Sequence, residues 1–294
     1  MDETDLNTDK TEATTDETEP TTDETEATMD DTETPSTEPV EPSDKESIRE
    51  RVWDDLEESG TARFPFPPHG RIPNFDGADE AAERLAEQQA WRDASTIKAN
   101  PDAPQLPVRR RALKAGKTVY MAVPRLADER CFLKLDPDEL EDYDAATTVS
   151  GSSEHGEQVG PEAVPEIDLI VSGSVAVSVD RNAAETASSA SHESVEGGRI
   201  GKGEGYSDLE FALLAEFDLV DETTTVATTV HERQLVDDAV SLGDHDVSMD
   251  LIVTPERTIR PDGAEQPSGI DWDLLSAQRL EEIPVLERLS DAGD

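Results

Sequence analysis

Arg199-Ile-Gly-Lys-Gly-Glu-Gly-Tyr-Ser-Asp208 places glycine at every second position, Gly201, Gly203 and Gly205, between two cations and a carboxylate. Glycine accepts positive φ and lets the backbone come close to a ligand, so successive N–H groups can line an anion. Leu209-Glu-Phe-Ala-Leu-Leu-Ala-Glu-Phe217 follows at once, with good helix formers and apolar residues at 209, 212, 213 and 217. A glycine turn running into a helix start is a favourable phosphate site, because unpaired N–H groups and the helix dipole both face the ligand. The other reading is a surface loop with glycines at its turns. Spacing alone leaves both open.

Working outward, the flanking segments decide the fold class. Ile167-Asp-Leu-Ile-Val171 and Met249-Asp-Leu-Ile-Val253 are short runs without polar alternation, as expected of central parallel strands covered on both faces. Val175–Val179 and Thr225–Val230 add two more strands. Further upstream, residues 78–93 read as an amphipathic helix, and Ser95–Ala99 as a strand ended by an Asn-Pro turn. A helix over 105–115 leads through Gly116 to the apolar strand Val119–Val123, which is an α/β unit. The order predicts an α/β domain with a mostly parallel sheet flanked by helices. Its expected bounds are 44–262, with low-complexity insertions near 138–163 and 181–196. A C-terminal helical extension over 263–294, broken at Pro284, should dock on it.

At the N-terminal side, Ser43 or Asp44 can cap a helix whose apolar stripe is Ile48, Val52, Trp53 and Leu56. Lys45 and Arg49 lie four apart on another face. The segment Arg63-Phe-Pro-Phe-Pro-Pro-His-Gly-Arg-Ile-Pro-Asn-Phe75 is too proline-rich for helix or central strand. Loops of this composition pack over a site or a neighbouring element, which makes His69 and Arg71 site candidates. Residues 1–43 repeat Thr-Asp-x-Thr-Glu-x-Thr from Thr8, Thr15 and Thr22 with no apolar position, so no seam exists to bury. A disordered acidic tail is expected there.

Composition limits the partners. The 294 residues carry 25 Lys+Arg against 70 Asp+Glu, a formal charge of −45. Concentrated salt shortens the Debye length to about 3 Å and makes such self-repulsion tolerable, so a halophilic cytoplasmic protein is expected. The same charge argues against binding nucleic acid or anionic membrane through a general basic surface. The lone cysteine, Cys131, has no internal disulfide partner. No apolar run approaches the roughly 20 residues of a membrane span.

The quoted decapeptide resembles the Arg-x-Gly-x-Gly-x-Gly-Tyr-Tyr-Asp signature of 5-formyltetrahydrofolate cyclo-ligases, also called methenyltetrahydrofolate synthetases. Asp168–Ser178 resembles the family's preceding strand and turn; Val230–Val236, Asp244–Asp246 and Met249–Pro255 resemble its following segments. Lys45 and Arg49 have the spacing of its N-terminal helix. The Phe-Pro loop and the Gly-Lys-Gly-Glu-Gly pattern are similar to the divergent branch found in methenyltetrahydrofolate synthase domain-containing proteins.

The resemblance implies an architecture akin to sugar-phosphate isomerases and CoA transferases, and ATP- and Mg²⁺-dependent closure of 5-formyltetrahydrofolate, or a related pterin, to the methenyl form. It implies Arg199 and Lys202 as catalytic cations. Lys45 and Arg49 would join them at the ATP phosphates, together with the loop Gly201, Gly203, Glu204, Gly205 and Tyr206. Asp208 would hold Mg²⁺. Tyr206, His69 and Arg71 are substrate candidates, and Gln105 stands where the family commonly has an acid facing the folate ring. Ser207 replaces the family's second tyrosine. The departures fall on the folate side, which leaves open an ATP-binding module without this activity or a ligase for another formyl substrate. A monomer or homodimer is expected.

Overall fold

The computed structural model describes residues 44–179, 197–238, 240, 242–261 and 266–293. The acidic repeat 1–43 and the insertion at 181–196 lie outside them. Helix α1 (Lys45–Glu58) starts where the Asp44 carboxylate accepts the Glu46 amide, and it buries Ile48, Val52, Trp53 and Leu56. Strands β1 (Ala62–Arg63) and β2 (Asn74–Phe75) form a small antiparallel pair that brackets the proline-rich loop. Two helices then follow, α2 (Ala78–Ala86) and α3 (Gln89–Asp93), where the periodicity alone predicts one. The first stops at Ala86 because Glu87 and Gln88 turn back onto Arg84 and Leu85 carbonyls, and Gln88 is extended.

The next elements are β3 (Thr96–Ala99), α4 (Leu106–Lys114), β4 (Thr118–Ala122) and β5 (Phe132–Leu135). Gly116, at φ 76°, closes α4 and releases the chain into β4. Residues 138–163 are not a loose insertion. They fold into α5 (Tyr143–Ala146), α6 (Val149–His155) and β6 (Glu157–Val159), the last pairing with β5. Asp142 and Thr148 cap the two short helices through their side chains, a role that their polar composition concealed as filler.

Strands β7 (Leu169–Ser172), β8 (Ala176–Ser178) and β9 (Gly198–Ile200) precede helix α7 (Tyr206–Glu216). After it come β10 (Thr225–Thr229), β11 (Leu235–Val236), β12 (Leu251–Val253) and β13 (Thr258–Ile259), then helices α8 (Ala277–Glu282) and α9 (Pro284–Gly293). The main sheet runs β13-β12-β10-β7-β3-β4-β5-β6. Its centre, β12 to β4, is parallel; β13 on one edge and β5 and β6 on the other are antiparallel. Every residue of β7 and β12 is buried, which explains their lack of alternation.

Val175–Val179 is a strand, but not of this sheet. β8 belongs to a second sheet, β11-β8-β9, that carries α1 on Val175, Ala176, Ile200 and Val236. This small layer holds α1 beside the glycine loop, since β9 ends at Ile200 where that loop begins. The C-terminal helices bury Ile283, Val285 and Leu286 in the main core, and the helix break falls at Pro284. Among the described residues no helix is long and apolar enough to cross a membrane.

Candidate functional site

The chain crosses from β3 outward to β4, then returns to lay β7 on the other side of β3. Open parallel sheets bind ligands at such a reversal, outside the carboxyl ends of the strands, because the connections diverge there and leave a crevice. A cleft of about 1050 Å³ occupies this position, lined by Asn100 and Asp102 after β3, Val123 and Arg125 after β4, and Gly173 after β7. The glycine loop, the start of α1 and the segment 269–279 complete its walls.

The loop has the conformation that its glycines allow. Gly203 and Gly205 sit at φ 100° and 71°, and Gly205 is the residue from which α7 starts. The amides of Lys202, Gly203, Glu204, Gly205, Tyr206 and Ser207 find no acceptor among the described residues. The loop's carbonyls, by contrast, are held from outside: Arg49 Nε donates to Gly201 O at 2.7 Å, and Arg279 donates to Glu204 O. A run of unbonded N–H groups at a helix start, with cations beside it, is suited to an anion.

The other sequence candidates divide into those the fold brings to the cleft and those it does not. Lys45, Arg49, Lys202, Tyr206 and Arg71 line it. Lys45 is bonded to Asp246 at 2.7 Å, and Lys202 to Glu204 at 2.8 Å within the loop. Burial pushes the Asp246 carboxyl up, but the Lys45 ammonium and the Gly243 amide outweigh it and hold it below the usual carboxylate range.

Arg199 and Asp208 lie at the cleft's floor and chiefly serve each other. Arg199 Nη2 donates to both Asp208 oxygens at 2.6 Å, and Nη1 donates to Gly173 O at 3.0 Å. Asp208 also accepts the Val247 amide at 3.2 Å. With both oxygens on Arg199, Asp208 is placed as the anchor of the loop's two ends rather than as an open metal ligand. Among the described residues no group of three or more His, Cys, Asp or Glu is placed to hold a metal.

His69 does not reach the cleft. It lies on the outer face of α1, 3.0 Å from Asp54 and against Trp53. Gln105 is fully buried beneath Gly173, its Nε2 donating to Thr229 Oγ1 at 3.3 Å and its Oε1 without a partner among the described residues. Three residues earlier, Asp102 does line the cleft. Desolvation in the cleft pushes its carboxyl above the usual range, with Lys202 opposing that rise.

Several site residues escaped the sequence reading. Buried Lys98 of β3 bonds Glu210 of α7 and, at 2.8 Å, Asn100 Oδ1; Asn100 Nδ2 in turn donates to Ser207 at 3.3 Å. This network fixes α7 on the strand end. A lone lysine inside Thr-Ile-Lys-Ala and a lone glutamate inside Leu-Glu-Phe-Ala-Leu-Leu were the available signals. Arg109 lies under the cleft floor and donates to Asn100 O, Pro101 O, Asp102 O and Thr147 O, shaping the Asn-Pro-Asp turn; burial lowers it to about 10.

The model of the 5-formyltetrahydrofolate cyclo-ligase family matches residues 41–184 and 189–255. The chain belongs to that family. Methenyltetrahydrofolate synthase domain-containing proteins of Mus musculus and Homo sapiens are 42% and 35% identical over 250 and 251 residues, 83% of this chain. The chain spans 63% and 61% of those relatives, a little under two thirds of their length. The NMR structure of Aquifex aeolicus 5,10-methenyltetrahydrofolate synthetase matches with a TM-score of 0.44 and 16% identity, over 75% of this chain and 95% of that one. The glycine loop, α1 and the Asn-Pro-Asp turn all lie within the family match; residues 256–294 lie beyond it.

Proposed function

We propose that this chain uses ATP to close 5-formyltetrahydrofolate to 5,10-methenyltetrahydrofolate. The observation that carries the reading is the run of unbonded amides from Lys202 to Ser207 at the start of α7, opening onto the cleft of a cyclo-ligase family member. A formamide oxygen is a poor leaving group. In the proposed reaction it takes the γ-phosphoryl group and ADP departs. N10 then closes on the activated carbon with loss of its proton, and the oxygen leaves as phosphate.

Phosphoryl transfer asks a protein for positioning and charge neutralisation more than for covalent chemistry. The loop amides would cradle the phosphates, with Lys202, Lys45 and Arg49 as the cations at hand. Arg199 contributes by locking Asp208 and the loop floor in place. Asp208, bonded on both oxygens, does not fit an inner-sphere Mg²⁺ ligand in this arrangement. Magnesium binds few protein carboxylates and would come with the nucleotide, on phosphate oxygens and water. In this reading Asp102 supplies the carboxyl on the folate side, where the resemblance points to Gln105; Phe64, Arg71 and Asn74 also line the cleft.

The test is conversion of 5-formyltetrahydrofolate to its methenyl product by the purified protein with Mg-ATP in molar KCl, the medium suited to a halophilic cytoplasmic enzyme. Product formation dependent on both ATP and the folate is expected. Mg-ATP binding without turnover would leave an ATP-binding module, the reading favoured by Gln105 being buried away from the cleft.

A further inference from the structure

The segment after the family match does not merely cover the core. Residues Ile270, Leu275 and Ser276 line the cleft, and α8 brings Arg279 to the glycine loop. The Arg279 guanidinium lies 4.2 Å from the centre of the Tyr206 ring and donates through Nη2 to Glu204 O. Tyr206 is the first residue of α7, so this arginine stands at the helix start, beside the unbonded amides. The loop is thus gripped from two sides, by Arg49 of α1 at Gly201 O and by Arg279 at Glu204 O.

The two arginines differ in their remaining partners. Arg49 is neutralised by Glu46 at 2.7 Å. Arg279 meets no carboxylate among the described residues, although the chain holds 70 acidic residues against 25 basic ones. An uncompensated arginine in so acidic a chain, held by its π face and one carbonyl, keeps a full positive charge and further N–H donors for an incoming ligand. Stacking on Tyr206 holds the fork in place, so little side-chain entropy remains to be lost on binding.

We propose that Arg279 is a polyphosphate-binding residue of this cleft, supplied by the C-terminal extension and completing the cradle that the glycine loop begins. The inference rests on the nucleotide half of the reading above, not on the folate half. It also assigns the extension a role: the loop's charge complement depends on α8, which is held to the core by Ile283 just after it and by Val285 and Leu286 of α9.

The experiment is titration of the full chain with Mg-ATP and, separately, with inorganic triphosphate, at one fixed KCl concentration, beside a thermal melt. Variants are Arg279→Met, Arg279→Lys and, as a control cation away from the cleft, Arg260→Met. Arg279→Met should weaken both ligands about ten- to a hundredfold, the range of a charge-assisted hydrogen bond, with its melting temperature unchanged. Arg279→Lys should recover part of the loss, and Arg260→Met should bind as wild type. Wild-type affinity in Arg279→Met overturns the proposal, as does a loss that Arg260→Met shares or that tracks a fall in melting temperature. If the wild type binds both ligands but leaves 5-formyltetrahydrofolate unchanged, the ligase reading fails and the Arg279 result stands. If it binds neither, both fail.

Discussion

Two residues show how position changes a chemical role. The family resemblance implies Asp208 as a Mg²⁺ ligand, yet the fold sets Arg199 across both its oxygens. Arg199 is 4% exposed and Asp208 16% exposed as side chains, so removing one leaves the other's charge in a poor solvent. Asp208→Asn should therefore cost about 3–5 kcal/mol of stability, measured by chemical denaturation, rather than act on nucleotide use alone. A variant as stable as wild type would return Asp208 to the role of a free ligand. Gly203, at φ 100°, makes the opposite case. Its ideal Cβ would stand 3.5 Å from the Arg49 guanidinium, so space is not the obstacle and backbone strain is. Gly203→Ala should cost about 1–2 kcal/mol and weaken Mg-ATP binding by reshaping the amide run.

Asp102 carries a pH signature. Desolvation makes the fold hold the Asp102 proton more tightly than the unfolded chain does. Its contribution to stability therefore falls as pH rises from the ordinary carboxylate value of about 4 through the raised one, and is level above that. Asp102→Asn removes the charge and should raise the melting temperature at neutral pH. The gain should fade as pH falls toward about 4. A gain that does not vary with pH would mean that the carboxylate is better solvated than its place implies. The same variant should lower turnover if this carboxyl serves the folate side.

At the scale of elements, the site depends on how α7 is fastened to the sheet. Lys98 and Glu210 are both buried and join β3 to the helix that carries the loop. A buried pair adds little net stability over an apolar substitute, but breaking it strands a charge. Lys98→Met should cost about 3–5 kcal/mol, and adding Glu210→Gln should return much of that. Denaturation of the two single variants and the double variant gives the coupling energy. Additive losses would show that the two side chains act independently. The element boundaries that the sequence misread have local causes of the same kind. Gln88 breaks the 78–93 helix by turning extended, and the Asp142 and Thr148 side chains start helices in a stretch whose composition reads as loop.

For the whole molecule, charge sets the working conditions. At −45 the chain repels itself, and that repulsion grows as ionic strength falls. The melting temperature should drop steeply between molar and millimolar KCl; an unchanged value would end the halophile reading. Part of the positive charge is concentrated where it opposes this trend. Lys45, Arg49, Lys202, Arg71, Arg125 and Arg279 all border one cleft. A phosphate-bearing ligand should therefore stabilise the fold most at low salt, which melts with and without Mg-ATP across a KCl series would measure.

Periodicity and turn chemistry were sufficient for the architecture. Unbroken apolar runs such as Leu169–Ser172 and Leu251–Val253 bury on both faces, and Gly116 and Gly205 mark the turns between layers, so an α/β domain with parallel central strands follows from local pattern alone. The decapeptide 199–208 likewise marks the glycine turn into α7, because a turn running into a helix start is a local property, although its spacing leaves a phosphate site and a plain surface loop both open. What local pattern does not contain is the choice of partner between residues far apart in the chain. Arg199, on the cleft floor, is bonded to Asp208 and the Gly173 carbonyl, Asp102 reaches the cleft wall while Gln105 lies beneath it, and Lys98 meets Glu210 across 112 positions. Arg279 reaches Glu204 from 75 residues away. Charged side chains at separate points of a sequence are interchangeable until folding fixes their distances and removes the water between them, so the tertiary structure alone decided which of these charges face a ligand and which are consumed in holding the site together.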